Sequence, residues 1–149
     1  MTLKRFRVAA SVLIIFNVIG TVVTWTEHLV KPGTSHAHAI FAGTEFTGPL
    51  LFIGLWIVFV LLTLAQGKPR IIGVALMAVF AAVFTSGEIS ELFKRNVGIS
   101  TGKWHFVLGA CVVGIPIALA TLICGIGYLV TSRKGPRVER ALEHNAQPG

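Results

Sequence analysis

Uncharged apolar runs divide the chain into four parts. Val8 to Thr26 holds 19 residues without a charge, Phe46 to Gly67 holds 22, Ile71 to Gly87 holds 17 and Phe106 to Ser132 holds 27. About 20 apolar residues, each rising about 1.5 Å along a helix, cross a hydrocarbon core of about 30 Å. The third run is short, but its helix can continue through Glu88 and Glu91 to Phe93, and the second can extend back toward Ala39. Runs such as Val12-Leu13-Ile14-Ile15-Phe16 do not alternate, as the strands of a membrane barrel would over about 10 residues. Backbone satisfaction in lipid then leaves helices. The pattern predicts an all-α integral membrane protein, a four-transmembrane-helix antiparallel bundle. Its helices cover about 8–27, 37–65, 71–93 and 104–131 in one domain, 1–132. A basic tail, 133–149, is expected to be a short helix or disordered.

The connectors fit this division. Lys31-Pro32-Gly33-Thr34-Ser35 breaks the chain between the first two helices, with Ser35 as a candidate cap. Gln66-Gly67-Lys68-Pro69-Arg70 reads as a five-residue turn that makes the second and third helices a tight hairpin. Lys4, Arg5 and Arg7 resemble the n-region of a signal peptide, but the apolar run is long and no A-x-A site follows, so it reads as a retained anchor. Pro49 and Pro116 lie inside predicted helices and can kink them. Gly43, Gly48, Gly54, Gly109 and Gly114 are expected where helices approach closely. Cys111 and Cys124 lie on one helix about 20 Å apart, far beyond the roughly 7 Å reach of a disulfide, and read as small apolar residues. Trp56, in mid-span, is expected to be packed or to face lipid.

Composition and charge sharpen the picture. Hydrophobic residues make up 54% of the chain and charged residues 13%, with mean hydropathy +0.78; a soluble domain has about 25% charged residues. The net charge of +7 would suit nucleic acid, but its distribution says otherwise. Lys4, Arg5, Arg7, Lys68, Arg70, Arg133, Lys134, Arg137 and Arg140 fall on one predicted side, and Lys31, Lys94, Arg95 and Lys103 on the other. The positive-inside rule puts both termini in the cytoplasm, as for a multi-pass protein of a bacterial inner (cytoplasmic) membrane. The excess charge is that signal, and no nucleic-acid partner is expected. Trp25 and Trp104 fall at the opposite interface, where indoles tend to sit.

The acids and histidines carry the candidate chemistry. Glu139, Glu143 and His144 are in the tail. Glu27, Glu45, Glu88, Glu91, His28, His36, His38 and His105 all map to the non-cytoplasmic ends of the four helices. Acids within spans are costly and mark function. Glu45 and Glu88 have no basic residue three or four positions away, whereas Glu91 has Lys94 and Arg95. His38, Ala42 and Glu45 share a helical face, as do Glu88 and Glu91. Glu45, Glu88, His38 and His105 are therefore the expected acid–base residues, supported by Glu27, His28, Glu91 and His36. Phe41, Phe46, Trp25 and Trp104 would line an apolar entry. His36, His38, His105, Glu45 and Glu88 also form a donor set suited to zinc, iron or manganese, although no HExxH or Glu-x-x-His pair is present.

Three function classes follow. The first is a small membrane enzyme that isomerises, cyclises or hydrolyses a lipophilic small molecule. The second is a metal- or proton-binding transport component; Asn17, Thr63 and Thr121 are too scattered to suggest a full ion route. The third is an accessory subunit of a membrane complex, with a homo-oligomer as one form of it. The chain lacks the CxxC of quinone-linked thiol oxidases and the mid-span first-helix Glu of small multidrug exporters. Its mixture of His and Glu among packed helices is similar in chemistry, though not in motif, to the emopamil-binding sterol isomerases.

Overall fold

The computed structural model describes residues 1–26, 35, 50–93 and 104–145. Among these residues there are four α-helices and no strand: α1 (Leu3–Thr26), α2 (Leu50–Leu62), α3 (Lys68–Phe93) and α4 (Trp104–Asn145). α1, α3 and α4 are each long and apolar enough to cross a membrane, and Leu51–Leu62 of α2 is a shorter apolar stretch. The first part of the predicted second span, 37–49, lies outside the described residues.

Helix ends differ from the charge-free runs for local reasons. α1 starts at Leu3, five residues before the run begins. Thr2 caps it: its Oγ1 accepts from Arg5 N at 3.4 Å and its carbonyl from Phe6 N at 3.3 Å. The extra turn matters because it carries Phe6, which is fully buried. α2 ends at Leu62 rather than at 65. Thr63, Leu64 and Ala65 instead donate to Val60, Leu61 and Leu62 carbonyls at 3.0, 2.9 and 3.2 Å, a tightened three-residue turn. Gly67 then adopts φ 69°, where a side chain would be strained. α3 begins at Lys68, so Pro69 lies in its first turn, where the missing N–H removes no helical bond. α4 begins at the predicted Trp104 but runs on to Asn145, continuous through Pro116 and Pro136.

Packing follows a chain of neighbours: α3 against α4 most extensively, then α1 with α4, α2 with α3, and α1 with α2. Phe6, Ala10, Leu13, Trp56, Val74, Met77, Ala81 and Ala118 form the core. Around it every helix keeps large apolar side chains outside, among them Ile15 at 57%, Val83 at 61% and Ile123 at 60% exposure. A water-soluble bundle would bury such residues; here the outer surface matches hydrocarbon.

Small residues set the closest approaches. A Cβ on Gly73 would sit 2.6 Å from the Phe59 carbonyl oxygen and 2.8 Å from Leu62 Cβ. On Gly114 it would meet Phe16 Cε1 at 2.9 Å, and on Gly125 Ala78 Cβ at 3.0 Å and Phe6 Cε2 at 3.2 Å. Gly114 thus fills its expected role, whereas at Gly54 and Gly109 nothing among the described residues lies within 4 Å of such a Cβ; Gly43 and Gly48 lie outside the described residues. Hydropathy does not say which glycine faces a neighbour, because inside and outside are equally apolar.

Polar bonds tie one end together. Arg7 Nε donates to Thr63 Oγ1 at 3.1 Å, and Arg7 Nη2 donates to the Thr63 carbonyl. The hydroxyl of the fully buried Thr63 donates in turn to the Val60 carbonyl at 2.6 Å. Arg70 Nε turns back to the Ala65 carbonyl at 2.8 Å. Both guanidiniums thereby approach the carbonyl-rich C-terminal end of α2, where the helix dipole favours cations. The hairpin's tolerance should follow its glycines. Gly73→Ala is expected to destabilise the fold by about 1–3 kcal/mol through overpacking. Gly54→Ala is expected to be neutral or stabilising by up to about 1 kcal/mol. Unfolding of the two variants in one detergent checks the contrast.

Candidate functional site

The end opposite Arg7 and Arg70 holds the described part of the acid–histidine group. Its register rests on a few contacts between α3, α4 and α1. Cys111 Sγ donates to the Glu88 carbonyl at 3.6 Å. A Cβ on Gly114 would touch both Phe16 and Phe84, and one on Gly125 would touch Ala78 and Phe6. Residue numbers thus fall along α4 as they rise along α1 and α3.

Glu88 is half-buried, with its backbone held against α4 by Cys111. Glu91 and His105 are placed by helical backbone position alone. Glu91 lies about 4.5 Å farther along α3 than Glu88, and His105 about 9 Å farther toward the same end of α4 than Cys111. His105 is therefore nearer in level to Glu91 than to Glu88. The sequence treats Glu91 as a supporting residue; the register gives it the closer axial match. Trp25 and Trp104 occupy the last turn of α1 and the first residue of α4, at this same end. Glu27, His28, His36, His38, Phe41, Glu45 and Phe46 lie outside the described residues. Among the described residues no three His, Cys, Asp or Glu side chains gather as metal ligands. Of the expected donor set, only Glu88 has a described side chain.

Two buried polar groups in the interior were not legible as such from the sequence. Thr24 is 4% exposed, and its hydroxyl has no hydrogen-bond partner among the described residues. It lies eight residues beyond Phe16, just as Phe106 lies eight residues before Gly114, so Thr24 stands level with the start of α4. Trp56 is 2% exposed, and its indole N–H likewise has no acceptor among the described residues. The ring packs edge-on to Phe80 and Phe84, with centroids 6.0 and 5.8 Å away. Trp56 is thus packed in the core rather than turned to lipid.

Other buried polar side chains satisfy themselves. Thr85 Oγ1 donates to Ala81 O at 2.8 Å, Thr121 Oγ1 to Ile117 O at 3.0 Å, and Asn17 Nδ2 to Leu13 O at 2.9 Å. Each returns to a carbonyl one turn back on its own helix, so they draw no polar path through the bundle. Cys111 is buried and Cys124 half-buried, both as thiols.

An unmet indole N–H inside an apolar core is a net penalty. Trp56→Phe keeps the edge contacts and removes that donor. It is expected to cost less than about 1 kcal/mol, whereas Trp56→Ala should cost about 3–5 kcal/mol. Denaturation of both variants in one detergent measures the difference, and a comparable loss for both would show that the N–H is bonded.

Comparison with known protein families, with characterised proteins and with solved structures finds no match to this chain.

Proposed function

We propose that this chain is a four-span antiparallel bundle of a cytoplasmic membrane, with both termini in the cytoplasm. We propose further that its far end is an acid–base site for a lipophilic small molecule. The observation that carries the reading is the position of Glu88. A half-buried carboxyl stands in an apolar helix whose backbone is tied to α4, at the end where α4 begins with Trp104-His105 and where Thr24 offers a buried hydroxyl. Carboxylates in such surroundings are kept for proton chemistry or binding.

In this reading Glu45 and Glu88 act as general acid and base, and His38 and His105 orient them or relay the proton. Glu27, His28, Glu91 and His36 tune the local charge. Trp25, Trp104, Phe41 and Phe46 line the approach from the bilayer. Thr24 adds what the carboxylates lack, a neutral hydroxyl that can hold a substrate oxygen. The residue types also suit a divalent zinc, iron or manganese ion, for which His36, His38, His105, Glu45 and Glu88 are the donors. Isomerisation is the most economical reaction for such a set, since one proton is added and one removed with no co-reactant.

Mass spectrometry of wild-type protein, Glu45→Gln and Glu88→Gln in native-lipid discs tests the reading. The wild type should carry a lipophile other than bulk phospholipid. The two variants should retain it in a different chemical form, unreacted substrate instead of product. With that molecule supplied, Glu88→Gln should lower kcat by about 10²–10⁴-fold while helical content is unchanged. Bulk lipid alone, in the same profile for all three proteins, would overturn the proposal.

A further inference from the structure

We infer that the end of the bundle opposite the acidic group is a binding surface for the headgroup of an anionic phospholipid. Lys4 and Arg7 near the start of α1 and Lys68 and Arg70 at the start of α3 all lie at that end. Lys4 lies one turn before Arg7, so the two share a face of α1. Arg7 bonds to Thr63 just before the turn, and Lys68 and Arg70 open α3 just after it. No acid occurs in residues 1–26 or 50–87, so these cations have no carboxylate on α1, on the described part of α2 or on the first 20 residues of α3.

The two arginines are also held in place with donors to spare. A guanidinium has five N–H groups. Arg7 uses Nε and Nη2 on Thr63, and Arg70 uses Nε on Ala65. The rest have no acceptor among the described residues. A phosphodiester supplies the missing charge and the acceptors together. The helix-fixed arginines lose little freedom in meeting it.

The apolar surroundings decide between a lipid and a free anion. Leu61 and Leu64, 56% and 59% exposed, share a face of the α2 end beside Thr63. A ligand with phosphate at the cations and acyl chains along these leucines fits both halves of the surface; a soluble phosphate fits only one. Basic clusters beside membrane helices attract anionic lipid by about fivefold in affinity per residue. This surface is independent of the acid–base site, and its test does not involve Glu45 or Glu88.

Full-length protein in detergent is titrated with phosphatidylglycerol, phosphatidylcholine or inorganic phosphate and followed by native mass spectrometry and thermal shift. Wild type should retain phosphatidylglycerol at least about fivefold better than phosphatidylcholine, and the preference should shrink in high salt. The double variant Lys4→Ser/Lys68→Ser leaves the Arg7–Thr63 and Arg70–Ala65 bonds intact and should fold. It should lose most of the preference. Arg7→Lys, which keeps the charge but not the fork, should lose part of it. Equal retention of the two lipids, an unchanged preference in the double variant, or displacement of bound phosphatidylglycerol by millimolar inorganic phosphate would each overturn the inference.

Discussion

A bundle that is as apolar outside as inside cannot be held together by the hydrophobic effect once it lies in a bilayer. Lipid tails compete with side chains for the same surface, so association depends on close van der Waals contact and a few polar bonds. The contacts in this chain have that character. Gly73 lets α3 reach the backbone of α2, Gly114 lets α4 reach Phe16 and Phe84, and Gly125 lets it reach Phe6 and Ala78. Between them the Phe6, Leu13, Met77 and Ala118 side chains fill the interior. The rest of the fold hangs on these approaches, including the register that sets Glu88 beside α4.

The charged and hydrogen-bonding groups are divided between the two ends. At the basic end, arginines are bonded to backbone and hydroxyl oxygens, and the bonds join α1 to α2 and the turn to α3. They act as fasteners because a guanidinium can hold carbonyls and still face a charged interface. At the other end Glu88, the acid whose side chain is described, lies where α3 meets α4, with Thr24 buried level with the start of α4. Between the ends, Thr85, Thr121 and Asn17 bond back to their own helices. The described middle layer is therefore a neutral packed core, and the charged side chains lie toward the two ends.

Much of the architecture is legible in the sequence because the cost of burying charge is large and local. Charge-free runs find the four described helices and the position of the hairpin turn. They misplace boundaries where the helix is set by hydrogen bonds instead. Thr2 starts α1 among basic residues, and the Thr63–Gly67 turn ends α2 early. The inward faces are harder to read, since no polar stripe marks the outside. Gly54 and Gly109 look identical to Gly73 and Gly125 in hydropathy, yet among the described residues only the latter pair meet a neighbouring helix. Of the candidate site, the charged members stand out in the sequence, whereas Thr24 and Trp56 do not. A hydroxyl or indole in an apolar run is common, and only the absence of a partner among the described residues distinguishes these two.

In the proposed site, acids from different helices share one interior space at the non-basic end. The most direct measurement is the dipolar broadening between nitroxide labels at positions 45 and 88, with Cys111 and Cys124 replaced by alanine and the protein reconstituted in lipid. Packed helices lie about 8–10 Å apart, so labels facing a common interior should be within about 15 Å and broaden each other strongly. A spectrum equal to the sum of the two singly labelled proteins would place the two positions in separate surroundings and contradict a shared site.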